Sequence, residues 1–296
     1  MINFLQLNKY QTVVLFFLST IFLILNINLQ LDNQTVVCFF LITTIGVSHG
    51  SLDYIKGNKL LKVYKIKNKL LFYLGYIFVS LTIVGLWLIL PLFTLIIFLI
   101  VAAHHFGKED AVFGKNKKIK LLNIFLFFKG SLVILAPLYF SSSETIKIFE
   151  TLNVELNIIN KNILIIFIAL SLISNFFVNK NFFLSFLDSL TIIMLNINFS
   201  PLLSFTIYFC FLHSLRHSFS LMKEMNNKNF KIGLILFLKK AMPLTLVTAS
   251  VFLIFIFFLN KYYLLDSAIL KVIFIGLASL TFPHILLEYL LEKHEK

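Results

Sequence analysis

The stretch LLFYLGYIFVSLTIVGLWLIL, Leu70–Leu90, runs for 21 residues without a charge, between Lys69 and Pro91. At 1.5 Å of rise per residue, about 20 such residues cross the roughly 30 Å hydrocarbon core of a bilayer. This stretch reads as a transmembrane helix, and Pro91 as the tight turn that ends it. Nine further apolar runs flank it, at about 11–29, 35–55, 92–107, 119–140, 162–179, 182–197, 200–221, 241–259 and 267–291. The runs at 92–107 and 182–197 are short. The first is too long for a signal-peptide core and lacks a small-residue cleavage site, so it counts as a span.

Composition agrees across all 296 residues: 59% are hydrophobic, 13% are charged, and the mean hydropathy is +0.94. Soluble domains hold about 45–50% apolar and about 25% charged residues, so a soluble enzyme is excluded. Disorder is excluded by the same lack of polarity. The expected fold is all-α, a polytopic transmembrane bundle of about ten spans forming one domain over residues 1–296. No repeat or linker interrupts it, and 141–161 reads as its longest outer loop.

The formal charge of +13 comes from lysine clusters between the runs rather than from a basic domain. Aromatic residues are not interleaved with those clusters, so nucleic acid is not the partner they indicate. Cytoplasmic segments of membrane proteins are enriched in lysine and arginine. With the N-terminus inside, twenty basic residues fall on inner segments and three on outer ones (Lys147, Lys161 and Lys261), while Lys129, Arg216 and Lys271 lie within spans. This alternation predicts both termini in the cytoplasm and a multi-pass protein of the cell membrane. Cys38 and Cys210 lie far apart inside apolar runs and read as small buried residues, not as a disulfide or zinc framework.

Six of the seven histidines sit in or at the ends of apolar runs; the other, His294, belongs to the charged tail. Ionisable groups at mid-membrane are costly, about 2.5–3.5 kcal/mol for a charge on insertion scales, and they persist where they face protein, pair, or bind something. His49, His104, His105, His213, His217 and His284 all fall on even-numbered runs and in the inner half of the membrane. His213 and His217 are four residues apart, which stacks two imidazoles on one helix face within reach of one metal. Imidazole without thiolate suits zinc, copper, iron or nickel rather than a hard cation. Asp53, Asp110 and Glu288 follow His49, His105 and His284 by four or five residues. They read either as carboxylates that hold the free N–H of a ligating imidazole or as counter-charges to the lysines. Arg216, the one arginine, is expected to turn away from its flanking histidines and snorkel to the inner interface.

Four segments, Ser48-His49-Gly50-Ser51-Leu52-Asp53, His105-Phe106-Gly107-Lys108-Glu109-Asp110, His213-Ser214-Leu215-Arg216-His217 and Phe282-Pro283-His284, occur in that order over about residues 40–290. As an ordered set they resemble the Brp/Blh family, the membrane-bound β-carotene 15,15′-dioxygenases of bacteria and archaea. The resemblance implies an Fe2+ enzyme that uses O2 to split the central double bond of β-carotene into two retinals, with a rhodopsin apoprotein as a retinal acceptor. It places the iron ligands at His49, His105, His213 and His217. It leaves the role of His284 open and His104 as a neighbour, with Asp53 and Asp110 around them. Ser48 departs from the pattern, where a proline is expected. A lipid-dissolved hydrocarbon without polar handles calls for an apolar, aromatic cavity, and the chain holds 36 phenylalanines.

The residues themselves leave other readings open. A membrane di-iron desaturase or hydroxylase needs denser histidine clusters. A haem electron-transfer protein would pair axial histidines on facing helices. A proton-coupled transporter would relay protons through buried histidines and break its helices at mid-membrane.

Overall fold

Each apolar run becomes a helical rod. The computed structural model describes residues 4–26, 33–114, 119, 121–156 and 159–294; lysines 115, 117, 118, 120 and 296, counted among the inner charges, lie outside the described residues. The helices are α1 (Phe4–Ile24), α2 (Gln34–Leu41), α3 (Asp53–Val63), α4 (Leu70–Ile89), α5 (Pro91–Glu109), α6 (Leu122–Phe140) and α7 (Ser142–Thr151), followed by α8 (Lys161–Val178), α9 (Phe182–Asn198), α10 (Pro201–Ile207), α11 (Leu215–Met225), α12 (Phe230–Leu259) and α13 (Leu265–His294).

Two rods are composite. A π-helical segment, Ile42–Gly46, and a 3-10 turn, Gly50–Leu52, join α2 to α3, and a second π segment, Tyr208–Ser214, joins α10 to α11. Eight rods are long and apolar enough to cross a membrane: α1, Gln34–Val63, α4, α5, α6, α8, α12 and α13. The 17-residue α9 and the interrupted rod from α10 through α11 account for the other two runs.

Local chemistry sets the helix starts. Pro91 and Pro201 open α5 and α10, where the missing N–H costs nothing. Asn160 caps α8 by accepting from the Asn162 N–H at 2.9 Å, and Asn229 caps α12 by accepting from Ile232 N–H at 3.3 Å. The structure departs from the expected boundaries in three places, the first being the second run, which continues to Val63 rather than ending near 55. α12 begins eleven residues before the expected 241, carrying exposed Lys231, Lys239 and Lys240 on its first turns. At 1.5 Å per residue its length is about 45 Å, more than the hydrocarbon core, so this end projects beyond it. Residues 142–151, expected as loop, form α7, whose Thr145, Ile146 and Phe149 are buried against the bundle. The segment is too short and too polar to register as a span, but amphipathic enough to dock.

α13 and the rod Gln34–Val63 lie deepest, each about half buried, whereas α1, α4 and α12 present most of their surface outward. Exposed Phe78, Leu88, Ile166, Val247 and Phe257 are what lipid-facing positions require. α5 and α6 approach so closely that a methyl on Gly107 would sit 1.8 Å from the Leu126 carbonyl oxygen and one on Gly130 1.9 Å from that of Ala103. Small residues permit this backbone contact within a membrane. It fixes α5, whose last turns carry His105.

The cations within spans are hydrogen-bonded, and Arg216 is ion-paired. Lys129 donates to the Asp110 carbonyl at 3.3 Å, and Lys271 donates to Asn153 Oδ1 at 3.1 Å. Arg216 does not snorkel. It is 2% exposed and binds both oxygens of Asp188 at 2.7 and 2.8 Å, with Thr12 Oγ1 accepting a further bond at 2.7 Å. A partner 28 residues away on α9 makes the interior affordable to the guanidinium. The bridge ties α11 to α9 and α1.

Candidate active site

Five of the six intramembrane histidines meet. The His49 ring centroid lies 5.5 Å from His213, 5.0 Å from His217 and 5.6 Å from His284. His105 lies 5.3 Å from His213 and 5.4 Å from His284, and His217 lies 5.7 Å from His284. All five are at most 7% exposed. They come from four rods: the 42–53 interruption, the end of α5, the π segment running into α11, and α13. His104 is half-buried and, one residue before His105, projects about 100° away around α5.

The two π segments bring this about. They widen the helix just before His49 and at His213, and they touch each other: Ser214 Oγ donates to the Gly46 carbonyl at 2.9 Å. Gly46 must lack a side chain, since a Cβ there would fall 2.6 Å from the Phe209 ring. The π segment therefore seats Phe209 and His213 against the turn that carries His49, and Phe209 stacks on His213 at 5.7 Å.

Carboxylates surround the cluster; Glu288 stays near His284 as chain proximity suggests, but Asp53 and Asp110 do not pair with the histidines that precede them. Asp53 faces Nδ1 of His284, with both oxygens at 2.9 Å, rather than His49. Asp110 faces Nδ1 of His213 at 3.2 Å, rather than His105, and accepts from the Tyr208 hydroxyl at 2.6 Å. Glu109 faces Nδ1 of His217 at 3.1 Å. The interruption at Gly50–Leu52 and the end of α5 turn these side chains across to neighbouring rods, so sequence spacing misassigns them. With Nδ1–H donated to a carboxylate, Nε2 of His213, His217 and His284 carries the lone pair, the arrangement that orients imidazole ligands in metal sites. Asp110 lies just past the end of α5. Burial by itself raises its carboxyl, but the His213 hydrogen bond, with Arg216 and Lys129 nearby, outweighs that and holds it well below the usual carboxylate range.

Glu288 closes one side of the cluster. Its oxygens lie 3.6 Å from His284 Nε2, 3.9 Å from His217 Nε2 and 3.9 Å from His105 Nδ1. Lys56 donates to it at 2.8 Å and stands 3.4 Å from His217 Nε2. Glu109, Lys56, Tyr76 and Tyr208 were not singled out from the sequence. The one available signal was Glu109, four residues after His105, the same spacing that links His284 to Glu288.

The donor set fits a metal. Ligand atoms of His105, His284 and Glu288 lie within 4.8 Å of one another, as do those of Glu109, His217 and Glu288. Buried His49 Nδ1 and His284 Nε2 have no hydrogen-bond partner among the described residues. An unsatisfied buried acceptor costs about 1–3 kcal/mol, a penalty that a bound cation removes. Lys56 already places a positive charge beside the Glu109–His217–Glu288 group.

An apolar cavity of about 320 Å³ leads to His49, His105, His213 and His284, between walls supplied by α4, α5, α12, α13 and the two π segments. Fold and site thus define a membrane-embedded helical protein with a buried, histidine-rich centre at the end of a hydrocarbon-lined cavity. A family model described as beta-carotene 15,15′-dioxygenase matches residues 40–292. The curated beta-carotene 15,15′-dioxygenase of an uncultured marine bacterium, 66A03, is 30% identical over 265 residues, covering 86% of this chain and 93% of that protein. No solved structure matches. The chain belongs to the β-carotene 15,15′-dioxygenase family, and as a member it is a carotenoid-cleaving dioxygenase. Its helix interruptions accordingly build an enzyme centre and not a transport path.

Proposed function

We propose that this chain splits the central 15,15′ double bond of β-carotene with O2 to give two retinals. The centre is a single Fe2+ held by His49, His105, His213 and His217, with His284 as a fifth imidazole and Glu288 beside it. The observation that carries this reading is the convergence of five imidazoles, two with buried nitrogens unpartnered among the described residues, at the end of an apolar cavity. Ferrous iron in such a nitrogen-rich set supplies the site at which O2 is activated.

The chain's own residues do the rest. Asp110, Glu109 and Asp53 fix which nitrogen of His213, His217 and His284 is free. Phe106 and Phe209 pack on His213 at 4.9 and 5.7 Å, which keeps that side of the centre dry. The apolar lining holds a polyene by shape and aromatic contact. Lys56 offsets the charge of Glu288 on the side away from the cavity. The protein forms one unit over residues 1–296 in the cell membrane with both termini inside, and passes retinal to a rhodopsin apoprotein.

The test is retinal production, followed by chromatography, in cells that make β-carotene and express this chain, together with iron per purified chain. Retinal dependent on the chain and about one iron per chain are expected. Absence of retinal under air in an iron-loaded protein overturns the activity, and two irons per chain overturn the single-metal centre.

A further inference from the structure

The cavity opens at the periphery of the bundle, beside two of the rods long and apolar enough to cross a membrane. Among its lining residues Tyr73 and Ile77 of α4 are 41% and 54% exposed, and Leu244 of α12 is 37% exposed. Its far end is formed by histidines at most 7% exposed. Both helices at the mouth are peripheral, with most of their surface turned outward. The wall between mouth and histidines is held from behind. Phe72 lies against Gly57, where a Cβ would come within 2.3 Å of its ring, and Tyr76 donates to Asp53 at 2.9 Å and to the Leu280 carbonyl at 3.3 Å. The same Asp53 carboxylate faces His284, so the mouth wall and the centre share a support.

Three glycines lie in this region. Gly46 and Gly57 are demanded by contact, since a Cβ at either would collide with Phe209 or Phe72. Gly50 is not. A Cβ there would meet no atom within 4 Å, its backbone lies in an ordinary 3-10 turn, and the residue lines the cavity directly after His49. Packing does not require its missing side chain. What the missing side chain leaves open is the cavity beside the imidazoles.

We infer that the carotenoid enters sideways from the bilayer between α4 and α12, and that Gly50 sets the bore of this passage where it reaches the histidines. This rests on the carotenoid reading proposed above. A hydrocarbon dissolved among lipid chains then never crosses water on its way in. A side chain at position 50 narrows the passage without touching the fold, and a large one at position 244 closes its mouth.

The test is a graded series, Gly50→Ala, Gly50→Val and Gly50→Leu, with Leu244→Trp at the mouth. All are expressed in β-carotene-producing cells and purified whole in detergent. Bound carotenoid per chain, retinal formed and iron per chain are measured. A few added methylenes in an apolar pocket change binding by about tenfold or more, so carotenoid content and retinal should fall stepwise with side-chain size, to about a tenth or less in Gly50→Leu, with iron per chain unchanged. Leu244→Trp should slow retinal formation, again with iron unchanged. Wild-type carotenoid content and turnover in both Gly50→Leu and Leu244→Trp overturn the passage alone. Loss of iron along with carotenoid in Gly50→Leu overturns the role given to Gly50, since it would then serve the packing of the centre. A wild-type chain that takes up no carotenoid overturns the function on which the passage depends.

Discussion

Asp53 presents both carboxylate oxygens to Nδ1 of His284 at 2.9 Å, although 231 residues separate the two in the chain. That bond leaves Nε2 of His284 facing the other imidazoles and makes Asp53 the support of a histidine whose role the motifs alone leave open. Outer carboxylates of this kind change metal affinity by about 10–100-fold when replaced. Asp53→Asn should therefore weaken iron binding by about that factor, and Tyr76→Phe, which removes only a hydrogen bond to Asp53, by less. Iron titration of the purified chain reads this directly. Wild-type affinity in Asp53→Asn would remove His284 from the metal.

Alanine at His213 or His217 should abolish retinal formation while the protein still inserts and purifies. His284→Ala should do the same if its nitrogen is a ligand. Turnover in His284→Ala close to wild type, with full iron, would leave four histidines as the complete set.

The Arg216–Asp188 bridge is enclosed, with side chains 1% and 4% exposed. Removing one partner strands a buried charge, a loss of about 3–5 kcal/mol, whereas replacing both with apolar residues of similar volume is often close to neutral. Arg216→Met should lower the thermal midpoint in detergent sharply, and Arg216→Met with Asp188→Leu should restore much of it. A single variant as stable as wild type would show that the pair is not held apart from solvent.

Gly107 and Gly130 offer a second handle on the centre, at a distance from it. A methyl at either would drive into the backbone of the facing helix, so Gly107→Ala should push α5 away from α6 and carry His105 with it. Lower stability and lower iron content together are expected. Loss of neither would mean that the helices separate without cost.

The eight rods of membrane-spanning length were legible because a membrane demands long runs with few charges, and Leu70–Leu90 meets that demand without ambiguity. The His213–His217 pair was legible because helix periodicity alone puts four-apart residues on one face. The pairing of carboxylates was not, because Asp53 and Asp110 reach across to other rods after a 3-10 turn and a helix end, and local spacing cannot count such crossings. Arg216 was misread for the same reason: its partner Asp188 lies in an apolar run, where a lone acid gives no hint of which helix it faces. α7 was missed because amphipathic character in a ten-residue segment is a weak signal beside twenty-residue spans.

A π turn spends one more residue per bond than an α turn, and this chain places two of them back to back, at Ile42–Gly46 and Tyr208–Ser214. Deleting a single residue from the second would let it tighten into ordinary α geometry, which absorbs the missing residue locally and removes the widened turn that seats Phe209 and His213 against Gly46. α11, with His217 and Arg216, would keep its direction, and the loss would fall on the contact between the two π segments. These two places are where the enzyme tolerates no change of length, whatever the replacement chemistry, while the exposed turn around Lys65 could be lengthened with little consequence for the centre.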